Sequence, residues 1–169
     1  MRISAEYASA PVVIVHGLGQ HPRDWADVAA RLEREVVAVD LPALRDPSRA
    51  PDPAASRAVL EQARHLERPH LVGHSYGGHL ALELASERWR SLVLVNTVPP
   101  RKRWQAVRAI QPACIIAARD DLGELALDGV TWIEHGGHDL HLADPARLAL
   151  ALASWFACVE ALVSPPAGG

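Results

Sequence analysis

Short apolar runs that alternate with stretches of helical period constrain this chain more than any other feature. The runs Val12 to Val15, Val36 to Val39, His70 to Val72, Ser91 to Val95, Ala113 to Ala117 and Thr131 to Glu134 have strand length, and most are rich in β-branched residues. Between them the apolar residues step by three and four. Trp25, Val28, Ala29, Leu32 and Val36 mark one stripe, with Asp24 as the expected N-cap. Val59, Ala63 and Leu66 mark a second, and a third helix runs from the turn after Val72 through Leu80 to Ser86. Leu148, Ala151, Leu152, Trp155 and Val159 mark the last, with Pro145 suited to its first turn. Strand and helix in alternation predict an α/β fold with a mainly parallel sheet of about six strands. Parallel neighbours need crossovers, and right-handed crossovers put helices on both faces. Such sheets bind ligands beyond the carboxyl ends of their strands.

The 169 residues suffice for one domain, expected over 1–163, and leave no room for a second folded unit. The tail 164–169, Ser-Pro-Pro-Ala-Gly-Gly, is expected to be disordered, and the Pro-rich stretch Pro47 to Pro53 to be the least ordered loop. No uninterrupted apolar run reaches the roughly 18 residues of a membrane span, and Met1 to Ala10 lack the apolar stretch of a secretory signal. A cytoplasmic protein without a membrane partner is expected. A net charge of −3 with dispersed cations gives no footprint for nucleic acid, and Arg101-Lys102-Arg103 is a short cationic cluster only. Cys114 and Cys158 sit in apolar settings and are expected as two buried small hydrophobes rather than a disulfide or metal site.

The segment Leu71-Val72-Gly73-His74-Ser75-Tyr76-Gly77-Gly78 sets G-x-S-x-G between an apolar strand and an apolar helix. A serine at the tip of such a turn takes a strained backbone, and side chains two residues to either side would collide, which Gly73 and Gly77 avoid. Gly78 then lets the helix approach the sheet closely. The turn aims the Tyr76 amide and the helix's positive end at the space above Ser75, where an oxyanion would develop. A Gly-rich turn also has purely structural uses, so the pattern alone does not decide. A second element, Val12-Val13-Ile14-Val15-His16-Gly17-Leu18-Gly19, is a strand ending in a Gly-rich loop that offers another amide, best placed at Leu18.

These segments, with Trp25 and Val37-Ala38-Val39-Asp40-Leu41-Pro42 between them, resemble the α/β-hydrolase family over residues 12 to about 158. The resemblance implies the α/β-hydrolase fold and a serine nucleophile, Ser75, followed in the chain by an acid and then a histidine. Ile115 to Asp121 is similar to the family's acid-bearing strand end, which nominates Asp121, with Asp120 still open. Trp132 to His138 is similar to the final strand and histidine loop, which nominates His138. Leu18 and Tyr76 become the oxyanion hole. His16, Gly17 and His74 are placed at the substrate site, the two histidines as hydrogen-bonding supports, and Trp104 at its rim.

The implied activity is hydrolysis of an ester, thioester or lactone through an acyl-enzyme, without a cofactor, on a small-molecule or carrier-linked acyl substrate. An acyltransferase or lyase using the same serine, or a non-catalytic binding module of the same fold, are the alternatives. Three departures from the family narrow the expectation. The antiparallel hairpin before the first strand is expected to be short or absent. Ala43-Leu44-Arg45 stand where Gly and His usually follow. The 16 residues between Asn96 and Ala113 admit one short helix and no cap domain. The cluster His135, His138, Asp139 and His141 lies across a Gly-Gly turn and lacks the spacing of a helical metal motif, so no metal is expected.

Overall fold

The computed structural model describes residues 9–46 and 54–163. Six strands form one sheet in the order β2-β1-β3-β4-β5-β6, with every pairing parallel: β1 (Val12–Val15), β2 (Val36–Ala38), β3 (His70–His74), β4 (Ser91–Val95), β5 (Ala113–Ala118) and β6 (Val130–Ile133). Among the described residues no antiparallel strand precedes β1. The helices are α1 (Ala26–Arg31), α2 (Ala55–Gln62), α3 (Tyr76–Glu83), α4 (Arg101–Ile110), α5 (Arg119–Leu122), α6 (Leu140–Ala143) and α7 (Pro145–Val163). Only α4 fills the space between β4 and β5. The loop Pro47 to Pro53 and the tail 164–169 lie outside the described residues.

Alternation along the strands divides the core into two layers. Val13, Val15, Leu71, Leu92, Leu94, Ile115 and Ala117 meet Val59 of α2, Leu80 and Ala81 of α3, and Trp104 and Val107 of α4. Val12, Ile14, Val72, Val93, Val95, Cys114 and Ile116 meet Val28 of α1 and Leu148, Leu152 and Phe156 of α7. Each Val, Leu, Ile or Phe side chain buried in this way contributes about 1.5–3 kcal/mol. Both faces of the central strands are covered, which is why their sequences read as continuous apolar runs. The chain moves from β1 outward to β2 and then back past β1 to β3. The carboxyl ends of β1 and β3 therefore flank the crevice where the strand order reverses.

Several local expectations are corrected. The first helix is entered through a 3-10 turn, Pro22–Trp25, capped by His21. The His21 ring accepts from Arg23 N, and Asp24 completes a capping box by accepting from His21 N rather than acting as N-cap. Val36 belongs to β2, not to α1. On α7 it is Phe156 that is fully buried, while Trp155 is half-buried at the edge with Nε1 on Ser91 Oγ. Cys114 is buried but Cys158 is exposed, because it falls on the outer face of α7. Pro145–Leu162 is apolar enough by length and composition to cross a bilayer, yet its inner face packs on the sheet.

Candidate active site

β3 ends in the sharp turn. Ser75 has φ 52° and ψ −121°, a left-handed conformation for a residue with a side chain, and the turn is held by Ser75 N donating to Val95 O at 3.1 Å. The close approach demands glycine at two neighbouring positions: a Cβ at Gly77 would overlap the Val15 and His16 carbonyls, and one at Gly78 would overlap Thr97. α3 can therefore start directly against the ends of β1 and β4, which holds Ser75 at the crevice.

Two loops from the far edge complete the arrangement. His138 Nε2 lies 2.9 Å from Ser75 Oγ, and His138 Nδ1 lies 2.9 Å from Asp121 Oδ2. Asp121 is thus the acid brought to the imidazole. Its neighbour Asp120 instead accepts from the amides of Gly137 at 3.0 Å and Gly136 at 3.2 Å, and these bonds hold its carboxyl below the usual carboxylate range. The one-residue step around α5 sends the two carboxylates to different parts of the same loop. Asn96, at the end of β4, braces that loop as well: Nδ2 donates to Gly137 O and His138 O, and Oδ1 accepts from Ala118 N. His138 is 49% exposed and Asp121 19%, so the imidazole sits at the solvent boundary while its carboxylate is half-buried.

The Gly-rich loop after β1 approaches Ser75 from the other side. A Cβ at Gly17 would stand 3.2 Å from Ser75 Cβ. Gly17 O faces His16 Nδ1 at 2.9 Å and Gln20 N at 3.4 Å, and Gly17 N donates to Gln20 Oε1 at 2.8 Å. Gly19 N donates to Leu44 O at 2.7 Å. Among the described residues the amides of Leu18 and Tyr76 donate to no protein acceptor, and both residues are half-buried.

His16 and His74 do not face the solvent above Ser75. Both are fully buried beneath the loops, where burial lowers the pKa of each, that of His74 to about 3. His74 Nε2 donates to His138 O at 2.7 Å, and Nδ1 faces Gln20 Oε1 at 3.1 Å. Trp104 departs from expectation altogether. It is 1% exposed beneath α4 with Nε1 donating to Asp128 O, because its helical phase points it at the sheet rather than the rim. Arg101, Lys102 and Arg103 are all exposed, and Arg103 donates to Leu82 O at 3.1 Å.

Gln20 and Asn96 belong to no motif legible in the sequence, and His141 figures there only in the cluster His135, His138, Asp139 and His141. His141 is fully buried, stacks on Trp25 at 4.5 Å, and finds no partner for either ring nitrogen among the described residues. With His74 and Asp139 it offers ligand atoms within 4.8 Å of one another. That spread exceeds the edge of about 3.4 Å in a tetrahedral site with Zn–N bonds near 2.1 Å. His74 Nε2 is also already committed to His138 O, so the set does not form a preorganised metal cage.

The comparisons agree with this architecture. A family model described as the alpha/beta hydrolase family matches residues 12–124, and the chain belongs to that family. It is 36% identical over 96 residues to the dihydrolipoyllysine-residue acetyltransferase component of an acetoin cleaving system from Pseudomonas putida, covering 50% of this chain and 26% of that protein. It is 35% identical over 104 residues to the abhydrolase domain-containing protein abhd-5.2 from Caenorhabditis elegans, covering 53% and 23%. The matches thus span about a quarter of these relatives' length. Among solved structures, a variant of tomato methylketone synthase I superposes with TM-score 0.68 at 15% identity, covering 88% of this chain and 97% of that one. A pyrethroid hydrolase from Sphingobium faniae gives 0.67 at 16%, covering 88% and 97%. A lipase-esterase related protein from Clostridium acetobutylicum gives 0.65 at 14%, covering 90% and 97%. At these identities the likeness shows the fold.

Proposed function

We propose that the protein is a serine hydrolase that cleaves an acyl ester or thioester through a covalent acyl-enzyme. The observation that carries this reading is the continuous relay from Ser75 Oγ to His138 Nε2 and from His138 Nδ1 to Asp121 Oδ2, both contacts 2.9 Å, mounted on a strained turn. Asp121 accepts from Nδ1–H, which leaves the Nε2 lone pair free for the serine proton. Ser75 Oγ attacks the acyl carbon as its proton passes to Nε2, and the carbonyl π electrons move onto oxygen, which the Leu18 and Tyr76 amides stabilise. Collapse expels the alkoxide or thiolate with the proton from Nε2. Water, deprotonated by the same nitrogen, then repeats the sequence and frees the acid. The half-exposed imidazole favours water as the acceptor over a bound alcohol or amine.

The substrate class follows from what surrounds the mouth. Thr97 Oγ1 donates to Ser75 O at 3.2 Å, and α4 begins four residues after Thr97, so the chain from Thr97 to Arg101 spans at most about 14 Å. Exposed cations there and a single short helix in place of a cap suit an acyl group carried on a long, anionic leaving group. Wild-type protein should react with a fluorophosphonate at Ser75 and hydrolyse p-nitrophenyl esters and acyl thioesters. Ser75→Ala should abolish labelling and lower turnover by about 10⁴-fold or more at an unchanged melting temperature. Near wild-type turnover by a folded Ser75→Ala protein would sink the mechanism. Preference for small free esters over thioesters of anionic carriers would exclude the proposed substrate class alone.

A further inference from the structure

We propose that Gln20 is a positioning residue that locks the oxyanion loop to the histidine loop, so that the two halves of the catalytic apparatus are set by one buried amide. The inference rests on the serine-hydrolase reading above. Gln20 lies five residues beyond β1, is 9% exposed, and spends both ends of its side chain on other catalytic segments. Oε1 accepts from Gly17 N at 2.8 Å, and Nε2 donates to Asp139 Oδ1 at 2.9 Å across 119 residues of sequence. These two bonds fix the amide's orientation, since turning it over would set NH₂ against N–H at one end and carbonyl against carboxylate at the other.

The first bond controls the oxyanion amide through peptide geometry. In a planar trans peptide the N–H points opposite to the C=O. Gly17 O is turned toward His16 Nδ1 and the Gln20 backbone amide, so the N–H of Leu18, in the same peptide plane, must point away from them. Gln20 Oε1 pins the other side of Gly17 by its N–H, which leaves that residue little freedom to swing. The second bond controls the base. Asp139 directly follows His138, and the His138 carbonyl accepts from His74 Nε2 at 2.7 Å. A displacement of about 1 Å in either half can cost about a hundredfold in rate. A strut between them therefore acts on kcat rather than on substrate affinity.

The contact can be tested by exchanging its donor and acceptor. Gln20→Met keeps the volume and removes both bonds. Gln20→Glu keeps the acceptor for Gly17 N but sets a carboxylate against Asp139. Gln20→Glu with Asp139→Asn restores a hydrogen bond with the polarity reversed. Turnover of p-nitrophenyl acetate and the rate of fluorophosphonate labelling would be measured for all three, with melting temperatures recorded. Gln20→Met and Gln20→Glu should each lose about tenfold to a hundredfold in kcat and labelling rate with KM within about twofold. The exchanged pair should recover most of the loss. Labelling of Gln20→Met at the wild-type rate overturns the proposal, as does an exchanged pair that melts like wild type yet is no faster than Gln20→Glu. Should Gln20→Met not fold, the exchanged pair carries the same decision by itself. A wild-type protein that the fluorophosphonate leaves unlabelled overturns the serine-hydrolase reading instead, and this proposal with it.

Discussion

The two ends of strand β3 carry the same residue in the same burial and use it differently. His70 opens the strand and His74 closes it. Both are fully buried, and burial lowers the pKa of His70 to about 4 and of His74 to about 3. His70 sits in a closed polar network: Nδ1 on Ser91 Oγ at 2.7 Å, Nε2 on Glu160 at 3.2 Å, and Glu160 paired with the half-buried Arg34 at 2.8 Å. Phe156 stacks on the ring at 4.2 Å. These partners come from strand β4, α7 and the turn before β2, and they anchor α7 to the sheet. The partners of His74 are the Gln20 side chain and the His138 carbonyl, both on loops. A buried histidine with a displaced pKa is therefore not by itself a mark of a functional site. What separates the two is which end of a parallel strand they occupy, because only the carboxyl ends open onto the crevice.

The sharpest division of labour at the active end lies between the adjacent carboxylates. Asp121→Asn should cut turnover by about 10⁴-fold, since an amide can donate to His138 Nδ1 and impose the wrong tautomer. Asp120→Asn should cost less than about tenfold, because the amide oxygen can still accept from Gly136 N or Gly137 N. Steady-state kinetics of the two variants checks the ranking, and the reverse order would reassign the acid.

The two histidines supply the next contrast. His74→Ala should lower kcat by about tenfold at temperatures well below melting, because the histidine loop loses its bond at His138 O. His70→Ala should leave kcat and KM near wild type and cost about 3 kcal/mol, or roughly 10 °C in melting temperature, through the emptied site and the unpaired Ser91 and Glu160. Equal losses of kcat in both variants would erase the distinction drawn between the strand's two ends.

A further effect is shared by both ends and appears as acid sensitivity. The unfolded chain protonates its histidines near pH 6.5, whereas His70 and His141 in the fold do so near 4 and His74 near 3. Between those values the unfolded state binds more protons, so stability is full above about pH 6.5 and declines as pH falls toward 4. Each histidine contributes a slope of up to about 1.4 kcal/mol per pH unit. Glu160 acts in the same direction further down. Burial opposes its ionisation, but bonds from His70, Ala10 N and Arg34 outweigh this and lower its pKa, so that pairing is lost as the carboxyl protonates. Denaturant melts at pH 7, 5.5 and 4.5 measure the trend. A His70→Ala background should flatten it, and an unchanged slope would remove His70 from the account.

Fold class was legible in the sequence because burial on both faces forces each central strand to be an unbroken apolar run, and crossovers force helices between them. β1 and β4 lie at the expected residues, and the remaining strands shift by one or two at their ends. The serine turn was legible for a steric reason: only glycine fits where α3 meets the carbonyls of β1 and the side chain of Thr97. The sequence also brought Asp120, Asp121 and His138 into view, as candidates placed after the right strands. It left the choice between the two acids open, because a step of one residue rotates a side chain by about 100° and only packing sets the phase of a four-residue helix. Helical phase also decided Trp104, buried against the sheet, and Cys158, turned outward. Gln20 could not be read at all. Its chemistry is a single amide, and its meaning lies in Gly17 beside it and Asp139 across the sheet, which are brought together only when the carboxyl ends of β1, β3 and β6 converge. Local sterics and periodicity are written in neighbouring residues, whereas a polar contact between loops exists only once the strands that carry them have been placed.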